Sequence, residues 1–409
     1  MHIKKIILTV IVYFLTIVVN AQNYTLNDLE SQLLLRNGEL IANKYNISIE
    51  EALIIQEKLW QNPSLSIKEI NFIKDFTSDD KRFTVELEQL IETAKKRKNR
   101  IAIQELSRNS ALIDYEELLR ELLRELRITH STLERIKKEE IQLITVVDLF
   151  KNLSEQYNRQ ANLKNVPKAD YYRIQTELIG YEKELIDLEN QKYETLNQLR
   201  ILTFNPTIEF DQLVFDSSQE NLVNLIPINV LDLAKEQNIG LKRQANEISI
   251  ARKVYDLEKS QRIPDLTLGV NYDRGPRNIR DIIGVGVTFD LPVFNRNKGN
   301  IKAAQLGIDQ QVSNQKVLEN NLYQSIDQLE NQLKRIDKML DNWSKTNNTE
   351  EQIKLIENYK KHLHNKQVNL LEFLDFTEAF RQANQAYLEL EEAYRNTFQE
   401  LQYLVGKDF

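Results

Sequence analysis

The stretch FDLPVFNRNKGNIKAAQ, residues 289–305, joins two different sequence patterns. Every second residue from Ile283 to Leu291 is apolar, which is the period of a half-buried β-strand; this segment ends within the quoted stretch. Behind it, charged and Leu-rich sequence with helical spacing resumes. Pro292 cannot donate a backbone hydrogen bond to a strand ladder. The stretch therefore predicts a strand that ends in a bend and continues as a long helix.

Composition favours long helices over a compact α/β enzyme. The 409-residue chain has only 10 Gly and 7 Pro, with 28% charged residues and a formal net charge of −7. It has no cysteine, which excludes disulfides, thiolate metal sites and an N-terminal lipid-anchor cysteine. The sequence contains no P-loop, no HExxH and no extended basic nucleic-acid surface. We therefore expect a protein that is not an enzyme and needs no cofactor and no metal.

The N-terminus has the pattern of an export signal. Lys4 and Lys5 precede an apolar run from Ile6 to Val19, and Ala21 offers a small residue for cleavage before Gln22. The run is shorter than the roughly 20 residues of a transmembrane helix. Residues 1–21 are therefore predicted to be a signal peptide of an exported protein.

The rest of the chain contains an internal duplication. Asn37, Leu40, Ile47 and Pro63 recur 201 residues later, and the matches Tyr157/Tyr359, Val166/Val368 and Leu199/Leu401 are 202 residues apart. Each half has the order helix, strand, strand, helical hairpin, so the fold is predicted to be mainly α with a small β part. The predicted bounds are 22–203 for the first repeat, with strands at about 64–73 and 82–91 and a hairpin at about 92–203; 204–226 for an inter-repeat segment; and 227–409 for the second repeat, with strands at about 265–273 and 281–291 and a hairpin at about 300–405.

The four predicted strands leave two structures open. Period-two patterning fits a one-sided soluble sheet, and it equally fits membrane β-strands of about 9–11 residues. Four strands cannot close a barrel, because small barrels need about eight. Several copies could pool their strands, and three copies would give twelve. The architecture by itself does not separate a trimer from a dimer.

Several motifs resemble the TolC family of outer-membrane efflux channels over essentially the whole mature length. They are NPSLSI (62–67) and IPDLTL (263–268) after the first helices of each half, LPVFNRNKGNIKAA (291–304), and the C-terminal segment from Val368 to Gly406. VELEQLIETAKKRKNRIA (85–102) further resembles the heavy-metal-cation, CzcC-like branch of that family.

The resemblance implies a homotrimer with a twelve-stranded transmembrane β-barrel and a periplasmic α-barrel. Residues 204–226 would form the equatorial segment. The channel would meet a periplasmic adaptor, which is a membrane fusion protein, and an inner-membrane pump of the resistance-nodulation-division (RND) class. It would lie in the outer membrane among its lipids, bind no nucleic acid and serve as the exit duct for heavy-metal cations.

The same resemblance assigns candidate residues at the periplasmic tip. Glu372 and Asp375 fall on the two acidic positions that narrow the closed end, and Asp170 matches them in the first half. Three-fold symmetry would turn each into a ring of carboxylates that attracts cations. Lys164 and Lys366 stand where the family commonly has Gly, which puts the turn geometry in question, and we expect both to face the adaptor.

The bend positions are the second group of candidates. Pro292, Arg296 and Lys298 follow the last strand, and Lys96 and Arg97 follow the second. Cationic side chains there can reach anionic lipid headgroups. An ordinary solvated charge run is the alternative interpretation.

Three further alternatives stay open. The duct could carry drugs or other organic compounds, or the chain could be an exported coiled-coil scaffold or periplasmic adaptor. The tip acids could simply be solvated. His362 and His364 lie two positions apart and so point to different sides of a helix, which makes a shared metal ion improbable.

Overall fold

The computed structural model describes residues 23–71, 81–215, 221–274, 280–346, 349–365 and 367–409. The predicted signal peptide and Lys366 lie outside the described residues. The described chain divides into two compact units. Unit 1 comprises Met1–Ile41, Leu118–Lys235 and Leu322–Phe409, and unit 2 comprises Ala42–Glu117 and Glu236–Asn321.

Unit 2 contains one antiparallel sheet with the strand order β1-β2-β3-β4. Strands from both repeats contribute, because β2 pairs with β3 and places Val85 opposite Tyr272. β4 ends before the predicted residue 291, because β3 begins at Leu266 and its Thr267 already pairs with the last residue of β4. The strands are β1 (Ser64–Asn71), β2 (Lys81–Ile91), β3 (Leu266–Arg274) and β4 (Ile282–Thr288).

The two faces of the sheet differ in chemistry. On one face, Glu69, Gln89 and Arg274 accompany a largely apolar set of cross-strand neighbours, among them Leu65 opposite Leu87 and Val270 opposite Val285. These side chains are exposed in the single chain; Val285, for example, is 83% exposed. The opposite face carries polar residues and glycines: Ser64, Ser66, Lys68, Thr84, Glu86, Glu88, Gly269, Asn271, Asp273, Gly284 and Gly286.

Each repeat begins with two helices that an asparagine separates. The Asn37 carboxamide oxygen accepts a hydrogen bond from the Leu40 N–H at 2.9 Å, and Asn238 accepts from the Leu241 N–H at 2.8 Å. Asparagine is a preferred N-cap because its side chain satisfies an unpaired N–H of the first turn. The four helices are α1 (Leu26–Arg36), α2 (Gly38–Glu57), α5 (Val230–Gln237) and α6 (Ile239–Ser260).

Long helical hairpins follow the strands in both halves, so the predicted duplicated order of elements is confirmed. The longest helix has 67 residues and extends about 100 Å at about 1.5 Å per residue. The first hairpin is α3 (Lys96–Asn162) and α4 (Lys168–Thr203); the second is α7 (Lys298–Thr346), α8 (Thr349–His364) and α9 (Leu370–Val405). Two short 3-10 turns, Phe210–Gln212 and Leu222–Leu225, lie between the repeats.

The core of unit 1 joins the two hairpins. Phe150 of α3 meets Tyr181 of α4 edge-on at 4.9 Å and lies 6.3 Å from Phe373 of α9. All three side chains are almost completely buried. Their burial, at about 25 cal/mol per Å² of apolar surface, is the main force that holds the hairpin ends together.

A ladder of ion pairs connects α3 with α9 further along unit 1. Arg135 binds Glu392 at 2.6 Å, Lys138 binds Glu391 at 2.9 Å, and Arg124 binds Glu400 at 3.1 Å. The pairs are partly shielded from solvent, which makes them stronger than exposed surface pairs. The ladder therefore favours one register between the two helices.

Candidate functional site: the hairpin tips and the strand-to-helix bends

The first hairpin tip turns through Lys164, whose backbone has a φ of 60°. The N–H of Lys164 donates to the Ala161 carbonyl at 3.1 Å, and the N–H of Asn165 donates to the Gln160 carbonyl at 2.9 Å. These two bonds form the Schellman motif that usually has glycine at the left-handed position. The lysine therefore keeps the turn geometry that the absence of glycine had put in question. Its side chain is exposed at the end of the hairpin.

At the second tip, α9 begins with a capping box. The side chain of Asn369 accepts from the Glu372 N–H at 2.9 Å, and the Glu372 carboxylate accepts from the Asn369 N–H at 3.2 Å. This bond gives Glu372 a local structural role in addition to its charge, although the side chain is exposed. Asp375, one turn on, is exposed as well. Lys366 lies outside the described residues.

Asp170 occupies the matching first turn of α4, where it is half-buried. Burial of the phenol raises the pKa of Tyr157, and the nearby Asp170 charge raises it further. Asp170 therefore lies beside the end of α3. The ring of carboxylates predicted for Asp170, Glu372 and Asp375 needs several copies of the chain and stays a prediction.

A polar cluster between α4 and α9 was not predicted from the sequence. Arg381 binds Glu184 of α4 at 3.1 Å and Glu378 of its own helix at 2.9 Å. The Tyr181 hydroxyl donates to Glu378 at 3.3 Å. The Arg381 guanidinium holds the pKa of Glu378 below its usual range. The only signal in the sequence was the three-residue spacing of Glu378 and Arg381, which gives no partner on another helix.

The first strand-to-helix bend lies between β2 and α3. Ala94 and Lys95 both have left-handed backbones, with φ of 52° and 64°. Asp265, just ahead of β3, accepts a hydrogen bond from the Thr93 N–H at 2.8 Å and pairs with the Lys96 ammonium at 2.8 Å. Lys96 is only 4% exposed. This bend is therefore fixed by a buried charge pair between the two repeats.

Lys96 consequently differs from the expectation for a headgroup-binding lysine. Its ammonium points to Asp265, because a buried amine requires a compensating carboxylate. Arg97 lies with its guanidinium 4.3 Å from the centre of the Trp60 ring, a cation–π contact. Lys95 and Lys98 are the exposed cations of this bend.

The second bend, between β4 and α7, also has a left-handed residue directly before the helix, but a single one and with different side chains around it. Asn297 has a φ of 52°, and its carboxamide donates to the Glu258 carbonyl at 2.9 Å and to the Glu258 carboxylate at 2.5 Å. Arg296 donates to the Pro292 carbonyl at 3.3 Å. Pro292, Arg296 and Lys298 are all exposed, and Phe294 is 100% exposed.

The described residues contain no group of three or more side chains that could hold a metal ion. The His362 imidazole is hydrogen-bonded to the Gln367 side chain, and His364 is exposed. Among the described helices, none is both long enough and apolar enough to cross a membrane.

The comparisons with known proteins agree on one class. No family model matches the sequence. The cobalt-zinc-cadmium resistance protein CzcC of Cupriavidus metallidurans is 22% identical over 298 residues, which cover 72% of this chain and 70% of that protein.

Solved structures of outer-membrane proteins share the fold. The Campylobacter jejuni CmeC outer membrane channel has a TM-score of 0.78 at 16% identity, over 95% of this chain and 86% of that chain. CusC has a TM-score of 0.76 at 12% identity, over 95% and 93% of the two chains. The outer membrane protein VceC of Vibrio cholerae has a TM-score of 0.75 at 12% identity, over 94% and 96%.

The fold is that of outer-membrane channels such as CmeC and CusC, and it agrees with the resemblance to the TolC family found in the sequence. The proteins that it resembles are channels and a resistance protein rather than enzymes. CzcC, which is similar in sequence, is a cobalt-zinc-cadmium resistance protein.

Proposed function

We propose that the chain is the exit duct of a tripartite RND-type efflux system and releases heavy-metal cations across the outer membrane. The observation that supports this most is the exposed apolar face of the sheet, where Ile283 and Val285 are 75% and 83% exposed. Exposed apolar patches of this extent mark interaction surfaces. Lipid is the medium that suits an apolar face opposite a polar one.

The two edge strands support a homotrimer. β1 and β4 are each paired on one side only within the described sheet. In a membrane, an unpaired backbone group costs several kcal/mol, so the edges must pair with other copies. Three copies would give a twelve-stranded barrel that leaves no strand edge unpaired, in a protein that the N-terminal signal directs to export.

The exposed tips suit the periplasmic end of such a duct. Lys164 and Lys366 would contact the adaptor, which in turn meets the inner-membrane RND pump. Glu372, Asp375 and Asp170 would form the aperture and favour cations. Because the Glu372 carboxylate also caps α9, the charge and the capping bond need separate variants.

Conductance in planar bilayers tests the aperture. We expect the Glu372→Gln/Asp375→Asn double variant to lose cation preference, while Glu372→Gln keeps an N-cap acceptor and therefore the fold. Glu389→Gln on the same helix is the matched control. Wild-type conductance and selectivity in the double variant would contradict the assignment.

The cargo follows from metal measurements in cells. A strain without the gene, challenged with Co, Zn, Cd, Cu and Ni, should accumulate one or two of these metals by mass spectrometry. The intact gene should reverse the accumulation. Normal metal levels together with raised sensitivity to dyes or detergents would replace the metal cargo with organic compounds.

A further inference from the structure

Helix α4 has an apolar stripe on the side that faces away from its core. The stripe consists of residues seven positions apart, each between 58% and 65% exposed: Tyr172, Ile179, Ile186 and Tyr193. Seven residues make nearly two turns, so these side chains share one face of the helix. The buried Ile174, Tyr181 and Leu188 each stand two positions after a stripe residue, about 200° around the axis. α4 is therefore apolar on two opposite faces, and unit 1 covers only one of them.

The stripe has the spacing of a seam between two helices. A heptad repeat of apolar residues keeps one side of a helix against a neighbouring helix over its whole length. The positions between the apolar ones are polar: Thr176, Lys183, Asn190 and Asn197. An apolar residue once per heptad is half of a full coiled-coil seam, so such a contact needs charged or polar support beside it.

Contacts within unit 1 arrange its helices in a row. α4 packs on α3, where Lys192 pairs with Glu140 at 2.5 Å, and the ion-pair ladder joins α3 to α9. α9 in turn meets α7, where the Tyr394 hydroxyl donates to Asp337 at 2.8 Å. α4 and α7 thus lie at the two ends of the row. When identical copies close into a ring, the end of one row meets the beginning of the next.

α9 touches both α4 and α7 and so relates positions along them. Its Arg381 pairs with Glu184 of α4, and its Tyr394, 13 residues further from the tip, bonds to Asp337 of α7. Thirteen helical residues span about 20 Å. α4 and α9 both lead away from a hairpin tip, whereas α7 leads toward one. Asp337 therefore lies about 20 Å further from the tips than Glu184.

Tyr193 of α4 and Met339 of α7 consequently lie at similar distances from the tips. Tyr193 is nine residues, about 14 Å, beyond Glu184. Met339, which is 56% exposed, is two residues, about 3 Å, closer to the tip than Asp337. The two positions differ by about 3 Å along the helices, which is less than one turn. Rotation about an axis along the hairpins keeps these heights in the next copy.

Exposed charges of opposite sign accompany the two helices over this stretch. On α4 from residue 180 onward, three carboxylates outnumber one lysine: Lys183, Asp187, Glu189 and Glu194. On α7 from residue 331 onward, four cations outnumber one carboxylate: Lys334, Arg335, Lys338, Asp341 and Lys345. Within the described chain, Glu189, Glu194 and Lys338 form no ion pair. Opposite charge on two surfaces selects a partner and a register, which apolar contact alone does not.

We propose that α4 of one copy packs against α7 of the next copy, with Tyr193 beside Met339 of the neighbouring copy. The acidic side of α4 then faces the basic side of α7. The stripe continues toward the tips along α8, where Leu355 is 45% exposed. The inference rests on the homotrimer proposed above and adds the pair of helices that joins its copies. A second copy is the occupant because this chain itself supplies the opposite charge at the matching height.

Cross-linking of introduced cysteines tests the contact, and the absence of native cysteine leaves no competing thiol. We expect Tyr193→Cys/Met339→Cys, treated with a short bis-maleimide in mild detergent, to give covalent dimers and trimers on a denaturing gel. Gln191→Cys/Met339→Cys is the matched control, because Gln191 is exposed but lies about 200° around α4 from Tyr193. The control should cross-link about tenfold less. Equal cross-linking of both pairs, or cross-links within one chain only, would contradict the contact.

Light scattering separates this inference from the proposal of a trimer. A protein that is trimeric in detergent but does not cross-link through Tyr193→Cys/Met339→Cys would overturn the contact between α4 and α7 and leave the homotrimer standing. A monomeric protein would overturn both.

Charge reversal tests the electrostatic part of the contact. Glu189→Lys/Glu194→Lys should slow cross-linking of the cysteine pair about fivefold, because like charges then face each other. Adding Arg335→Glu/Lys338→Glu should restore most of the rate, since the opposite charges then stand in exchanged places. An equal rate in all three forms would contradict the charge pairing on which the choice of partner rests.

Discussion

The two strand-to-helix bends each place a left-handed residue directly before the helix, Lys95 in the first and Asn297 in the second, but different side chains hold them. In the first, Asp265 holds the buried Lys96 ammonium and the Thr93 N–H, so charge from one repeat fixes the turn of the other. In the second, the Asn297 carboxamide binds Glu258, while Phe294 and Lys298 remain exposed. A duplicated turn can thus be held by a charge pair between the repeats at one copy and by hydrogen bonds within one repeat at the other. The proposed contact with lipid would fall on the exposed side chains of the second bend.

The largest effect is expected from Asp265→Ala in the first bend. The substitution leaves the Lys96 ammonium buried without a partner, which costs about 3–5 kcal/mol. Thermal unfolding followed by circular dichroism should show a large fall in midpoint. The double variant Asp265→Ala/Lys96→Met should recover most of the lost stability. Equal stability of the single and double variants would show that the Lys96–Asp265 pair does not stabilise the first bend.

A smaller loss is expected from Asn297→Ala in the second bend. The substitution removes both hydrogen bonds to Glu258 and leaves an alanine in the left-handed conformation. Together these changes should lower the free energy of unfolding by about 2 kcal/mol. Asn297→Gly removes the same bonds without the backbone cost and should lose about 1 kcal/mol less. If glycine and alanine destabilise equally in denaturant titrations, the left-handed turn is not under strain.

Lys95→Gly should stabilise the first bend by about 1 kcal/mol. Lys95 is exposed and has a φ of 64°, a conformation that glycine adopts without a steric cost. Lys302→Gly, at an exposed lysine in the second turn of α7, is the control and should destabilise, because glycine is unfavourable inside a helix. Urea unfolding measures both, and destabilisation by Lys95→Gly would contradict this account of the turn.

The smallest effect on stability belongs to Phe294→Ser, within about 0.5 kcal/mol, because Phe294 makes no buried contact. Its effect should appear instead in binding to vesicles that contain anionic phospholipid, as slower insertion. Lys298→Gln should further weaken binding to these vesicles, and this additional loss should shrink as the salt concentration rises. Unchanged insertion of the Phe294→Ser/Lys298→Gln variant would leave the second bend without a lipid role.

Features with a short sequence period were predictable, and contacts between distant segments were not. Alternation from Ile283 to Leu291 indicated a strand, Pro292 indicated the bend, and the repeated Asn37 and Asn238 indicated the same order of elements in both halves. The pairing of Lys96 with Asp265 joins the two repeats, and nothing local in either segment specifies it. The same holds for Arg381 with Glu184.

Candidate tip residues could be placed from motif positions because the family pattern is local. Glu372 and Asp375 came from such a motif, yet the capping bond of Glu372 appears only once the start of α9 is known. At Lys164 the sequence left the turn geometry in question because glycine is absent. The turn forms with lysine, because the Schellman hydrogen bonds involve only main-chain atoms.

The pairing of β2 with β3 also sets the order of events during synthesis. Phe83 pairs with Arg274, so the first two strands cannot complete their sheet until α3 to α6 have been synthesised. Pairings between segments so far apart in sequence form slowly, because the intervening loop must close first. Through that interval the free edge of β2 can pair with the wrong chain. Correct folding of this protein therefore depends on keeping that edge unpaired until the second half of the chain arrives.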